Sequence, residues 1–252
     1  MSNRVIDPRA AERRRSILLT IAAVVVLAVI AAIVIIMTTK DGQTTETGSD
    51  ADLSKNGTEV PTVVTDGAIR ITAAAQGTTP SVVITVTEDF QCPACHQFEQ
   101  LMGPTLAGFH SNPAVAIDYV SINMLDRAST TAYSSRAANA AMCVAEKTGS
   151  GNEFGKWLEY HNLLFANQPP EGGSGLNNSV LIQLAKDAGV EGIDDCVTEI
   201  SYRNWINENS QKIMALPDFK GTPSLRINGE LVEITTANDL QDKVNAAVEA
   251  AR

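Results

Sequence analysis

The hydrophobic pattern divides the chain into three unequal stretches. Ser16 to Met37, SILLTIAAVVVLAVIAAIVIIM, carries no charge over 22 residues, and about 20 apolar residues suffice to cross a bilayer as a helix. The next stretch, rich in Thr, Gly, Ser and acids, has no apolar period and reads as a flexible tether over 38–66. From Gly67 onward, periodic segments follow one another closely. AIRIT (Ala68 to Thr72) alternates as a short strand, and SVVITVT (Ser81 to Thr87) is a β-branched run suited to a buried one. Phe98, Leu101, Met102, Leu106 and Phe109 recur at helical spacing, with a kink suggested at Gly103-Pro104. VAIDYVSI (Val115 to Ile122) predicts a third strand.

A block of helical patterns comes next: STTAYSSRAANAAMCVAEK, NEFGKWLEYHNLLFA, NSVLIQLAKDAG and DDCVTEISYRNWINENSQKIMA, each with plausible polar caps. PSLRINGELVEI then places two short apolar runs around Asn228-Gly229, a strong hairpin signal, and TTANDLQDKVNAAVEAA predicts a closing helix. Without the block, the order leaves a thioredoxin-like α/β layer with helices on both sheet faces, and the block is a large helical insertion at about 124–218. The folded domain is thus expected over 67–252.

Charge orients the chain. Arg4, Arg9, Arg13, Arg14 and Arg15 precede the apolar span, and only Lys40 follows it closely. The positive-inside rule therefore predicts a cytoplasmic N-terminus (1–15), a single anchor (16–37) and an extracytoplasmic domain. A cleaved signal peptide is the competing reading, but its apolar core runs about 7–15 residues and ends in small residues, whereas this one ends in Ile-Ile-Met. Beyond residue 40 the chain holds 13 basic against 27 acidic residues, a balance that repels phosphate and argues against nucleic-acid binding.

The candidate chemistry lies in EDFQCPACHQFE (Glu88 to Glu99). Its C-x-x-C-H, Cys92 to His96, reads either as a redox-active thiol pair or as a c-type haem attachment site. The strand-to-helix setting favours the thiols. Cys92 at a helix start faces free amides and the positive end of the helix dipole, which favour thiolate; Cys95 lies one turn later, and Pro93 sits where its missing N–H costs little. Haem would need an apolar pocket and a second axial ligand, and Met102 and Met124 have nothing to distinguish them from core methionines. Four-thiolate zinc is the third reading, against which Cys143 and Cys196 lack the usual short spacing. These two cysteines are expected to staple the insertion as a structural disulfide, with a second redox pair or two free thiols as the alternatives. His110 and His161 read as ordinary structural or surface residues; Glu88 and Asp89 read as surface acids ending the strand, with help to proton transfer through water as the alternative.

DFQCPAC after SVVITVT, the helical insertion, and GTP before the final hairpin together resemble the DsbA family of thiol–disulfide oxidoreductases, in its membrane-tethered actinobacterial form. The resemblance implies that Cys92 is the nucleophile and Cys95 its resolving partner in a Cys92-Pro93-Ala94-Cys95 motif, that Pro223 is a cis-proline opposite them, and that Thr222 presents its backbone to substrate. It implies no cofactor or metal. The substrates would be reduced exported proteins, and the redox partner a membrane quinone reductase of the DsbB or vitamin-K-epoxide-reductase type. Many family members carry a buried Glu six residues before the first cysteine; here that position is Val86, which leaves the proton acceptor unassigned. The Pro93-Ala94 dipeptide does not settle oxidase against reductase.

Overall fold

A computed structural model of the protein describes residues 54–149 and 154–252. The segments expected as cytoplasmic N-terminus, anchor and tether up to residue 53 lie outside them. Among the described residues no helix is long and apolar enough to cross a membrane.

Five strands form one mixed sheet in the order β1-β3-β2-β4-β5: β1 (Ile69–Thr72), β2 (Val82–Glu88), β3 (Val115–Ser121), β4 (Ser224–Ile227) and β5 (Glu230–Val232). The β-branched run of β2 occupies the centre, with Val82, Ile84 and Val86 buried. It pairs parallel with β3, as the crossover helix α1 (Pro93–Phe109) between them requires. The other neighbours pair antiparallel. Asn228 and Gly229 both have positive φ, 51° and 86°, the conformation a two-residue hairpin turn demands. The Asn228 side chain also accepts from the Val83 amide at 2.8 Å, locking the hairpin onto β2. Helix α1 continues through Pro104 and packs with the last helix, α7 (Ala237–Ala250), beside the central strands.

Among the described residues, the block between β3 and β4 holds a 3-10 turn (Met124–Ala128) and five helices: α2 (Tyr133–Thr148), α3 (Gly155–Ala166), α4 (Asn178–Asp187), α5 (Asp194–Thr198) and α6 (Arg203–Met214). The last two replace the single helix that the pattern from Asp194 to Ala215 predicts. Between them Ile200 takes a φ of 50°, costly for a β-branched residue. The buried Asn139 of α2 compensates, accepting from the Tyr202 amide at 2.9 Å and donating to the Cys196 carbonyl at 3.1 Å. Tertiary hydrogen bonding overrides helical propensity there.

Buried Arg136 of α2 organises the loop between α3 and α4. It donates to the carbonyls of Thr131 (3.0 Å), Leu176 (2.7 Å) and Ser174 (3.0 Å). Residues 54–66, the part of the expected tether that is described, run along the insertion. The Glu59 amide donates to the Ser201 carbonyl at 3.0 Å, the Asn204 amide to Gly57 at 3.2 Å, and the Val63 amide to Glu146 at 3.1 Å. A Cβ at Gly57 would collide with the Ile200 and Ser201 carbonyls, so glycine is what permits this close approach.

Candidate active site

The link from β2 to α1 is short and held from inside. The Cys92 amide donates to the Asp89 carbonyl at 2.9 Å. The Asp89 carboxylate accepts from the amides of Gln91 and Leu125, each at 2.9 Å, and from the Ser134 hydroxyl at 2.6 Å. Glu88 and Asp89 are 1% and 0% exposed, which corrects the expectation of surface acids: the insertion closes over the strand end. Burial pushes the Asp89 carboxyl up to about 6, against the pull of those hydrogen bonds.

Cys92 is the N-cap of α1 and Pro93 its first residue. The two sulfurs share a helix turn but not an environment. Cys92 is 7% exposed and Cys95 1%. The Cys92 thiol is pulled down to about 5, chiefly by a hydrogen bond from the Cys95 thiol; burial opposes this, and the Thr222 side chain and the amides of Cys95 and Ala94 add to it. Burial, followed by the neighbouring Cys92 sulfur, pushes Cys95 far above the ordinary thiol range. One turn of helix thus holds a thiolate beside a thiol that donates to it.

Two further segments close around this pair. The Thr222–Pro223 peptide is cis, and the neutral Cys92 thiol donates to the Thr222 carbonyl at 3.5 Å. The Thr222 Oγ1 is buried without a fixed partner, so its hydroxyl is free to turn toward a thiolate. From the insertion, Gln168 Nε2 donates to the carbonyls of Phe90 (3.1 Å) and Cys92 (3.0 Å). Beside the pair, Phe98, Pro223, Leu231 and Ile234 form the apolar part of a groove of about 360 Å³ that Thr222, Lys220 and Glu233 also line.

Near α1, His161 of α3 lies 2.8 Å from Glu88 through Nε2, ringed by Phe90, Tyr119, Trp157 and Phe165 at centroid distances of 5.8, 5.0, 5.1 and 5.1 Å. Burial alone would depress this imidazole; the carboxylates of Glu88 and Glu99 outweigh it and hold it up at about 9. Burial raises Glu99 to about 7, with His161 opposing and Glu88 reinforcing. The sequence does not single out His161, although its place four residues from both Trp157 and Phe165 sets it on the apolar stripe of α3. Gln168, in a loop, carried no such signal.

The remaining sequence candidates lie elsewhere. Cys143 and Cys196 form a disulfide joining α2 to α5, with Cα atoms 6.0 Å apart, which excludes a four-thiolate zinc site. His96 pairs with Gln100 on α1 at 2.6 Å. Met102 is in the core, and His110 faces the Tyr119 hydroxyl at 3.5 Å.

A thioredoxin family model matches residues 72–246. The fold is similar to that of DsbA from Mycobacterium tuberculosis in its reduced form, at 33% identity over 73% of this chain and 97% of that one, with a TM-score of 0.63. It is likewise similar to reduced DsbG from Mycobacterium tuberculosis, at 35% identity over 73% and 91% of the two chains, TM-score 0.62. MdbA of Corynebacterium diphtheriae shares the fold at 20% identity over 81% and 99%, TM-score 0.58. No curated protein sequence matches the chain. The chain belongs to the DsbA-like thiol–disulfide oxidoreductases of the thioredoxin fold; its class of chemistry is thiol–disulfide exchange.

Proposed function

We propose that this protein is an extracytoplasmic thiol oxidase that introduces disulfides into exported proteins through Cys92 and Cys95, held at the membrane by residues 16–37 with its N-terminus in the cytoplasm. The observation that carries this reading is the unequal environment of the two sulfurs. A thiolate stabilised at about 5 favours the reduced pair over the disulfide, and a stabilised reduced form makes a strong oxidant.

In the cycle, a substrate thiolate attacks Cys92 Sγ of the oxidised pair. The Cys92–Cys95 bond breaks, and Cys95 leaves with the bonding electrons and takes up a proton, as its buried setting favours. A second substrate thiolate then attacks the substrate sulfur of the mixed disulfide and expels Cys92 as thiolate. The substrate gains one disulfide, and two electrons remain on the reduced pair. The Thr222 backbone and the adjoining apolar groove suit an extended peptide segment. The electrons pass on to an acceptor; the family resemblance points to a membrane quinone reductase of the DsbB or vitamin-K-epoxide-reductase type, and tethering raises its effective concentration. Haem attachment is disfavoured because Cys95, which would have to bond the haem as well, is packed in the core.

Equilibration of the full-length protein against glutathione, with the thiol state read by alkylation and mass spectrometry, tests the direction. A potential near about −120 mV supports the oxidase, whereas one near about −270 mV makes the protein a reductase.

A further inference from the structure

We propose that Glu88, Glu99 and His161 form a binding site for a divalent cation of the zinc class, reached from the groove between α1 and α3. One ligand atom from each residue lies within 4.8 Å of the others. The three come from different elements: Glu88 ends β2, Glu99 is on α1 and His161 on α3.

The cluster contains more acceptor capacity than the protein uses. Glu88 is buried, yet only Oε1 is engaged; Oε2 has no hydrogen-bond partner, and neither has the buried Oε1 of Glu99. Unsatisfied carboxylate oxygens in such a place are costly, and a cation is the ligand that would satisfy several at once. The imidazole is already aimed. Its Nε2 points at the carboxylates, its Nδ1 faces Asn162 Oδ1 at 3.5 Å, and the surrounding aromatic rings restrain it. An outer partner on the second ring nitrogen is the usual arrangement for a ligating histidine.

The donor set selects the metal. One imidazole and two carboxylates suit zinc and its neighbours, whereas calcium takes about six to eight oxygens. Three protein ligands with a fourth position open to water match zinc sites that stay accessible. The way in is the groove of about 560 Å³ that Glu99 lines together with His96, His110, Leu158 and Asn162. Gly103 keeps that approach clear, since a Cβ there would come within 3.3 Å of Glu99 Oε2. Side-chain shifts of about an ångström bring three atoms at these separations to zinc bond lengths of about 2.0–2.2 Å.

The test uses tag-free, full-length protein carrying Cys92→Ser and Cys95→Ser, so that catalytic thiolates cannot bind metal and the result does not depend on redox activity. Calorimetric titration with Zn2+ is expected to give one site per chain with micromolar or tighter affinity. Co2+ should give visible absorption bands without sulfur charge transfer. Glu99→Gln, nearly isosteric and beside the groove, should weaken binding by at least about tenfold and remove the thermal stabilisation by Zn2+, while its metal-free melt stays cooperative. His161→Gln should act alike. No stoichiometric binding, or equal affinity in the parent and Glu99→Gln, overturns the proposal and leaves a protonated imidazole between two carboxylates as the occupant of this space.

Discussion

Gln168 reaches from the loop after α3 to the carbonyl of Cys92 at 3.0 Å, and with the same Nε2 to that of Phe90 at 3.1 Å. The insertion therefore grips the backbone that carries the Cys92 sulfur. Gln168→Ala removes the donor shared by two carbonyls in a part-buried setting, and its expected cost is about 1–2 kcal/mol, read from the denaturation midpoint. The local signature is faster amide hydrogen exchange over Cys92 to His96, with the β2–β3 ladder unchanged. A variant that lowers stability uniformly without loosening these amides would contradict the clamp.

Cys92 sets a pH dependence whose sign follows from its thiolate. Its folded value of about 5 lies below the ordinary thiol value of about 8.5. The depressed group stabilises the reduced fold fully above about pH 8.5, and that stabilisation is lost as pH falls through about 5. The oxidised protein has no titrating thiol at this position. The difference in melting temperature, reduced minus oxidised, should therefore rise steadily from pH 5 to pH 8. Ultraviolet thiolate absorbance of the reduced protein should show a midpoint near 5 that Cys92→Ser abolishes. A midpoint in the alkaline range would remove the basis for an oxidase.

The elements legible in the sequence were those that local chemistry dictates. The β-branched run of β2, the Asn228-Gly229 turn and the thiol pair after a strand each occupy a few adjacent residues and form as read. What escaped depends on partners far along the chain. Glu88 meets His161 across 73 positions, and Gln168 meets Cys92 across 76. A charged residue at a strand end ordinarily faces water; nothing local to Glu88 and Asp89 says that a helical block will cover them. The break at Ile200 is of the same kind, since Asn139, which compensates for it, lies on α2 rather than in the helix it interrupts. Sequence thus located the sulfurs and the helix start that holds them, while the cover over Glu88 and Asp89 and the Gln168 contact came from the insertion.

Thr222 offers a way to tune the site without touching the sulfurs. Its Oγ1 is buried without a fixed partner and acts with the other donors that pull Cys92 down. Thr222→Val keeps the shape and deletes the hydroxyl. A hydrogen bond to a charged group is worth about 1.5–3 kcal/mol, so the Cys92 pKa should rise by about one to two units. The reduced form loses that stabilisation, and the potential should become more reducing by about 30–60 mV. Glutathione equilibration of the variant beside the parent measures the shift. An unchanged potential would mean that the helix amides and Cys95 alone hold the thiolate.

The Cys143–Cys196 disulfide joins residues 53 positions apart and lies within the insertion. Closing a loop of that length removes chain entropy worth about 4 kcal/mol from the unfolded state. Replacing both cysteines with alanine should destabilise the protein by about 2–5 kcal/mol, read by urea denaturation. Exchange at Cys92 is expected to survive, because neither residue is among the groups that set its thiolate. The rate per folded molecule with a small dithiol should therefore match the parent at temperatures well below the melt. A variant that stays folded but no longer cycles would show instead that Cys143 and Cys196 relay electrons for Cys92, and the bond would be a second redox centre.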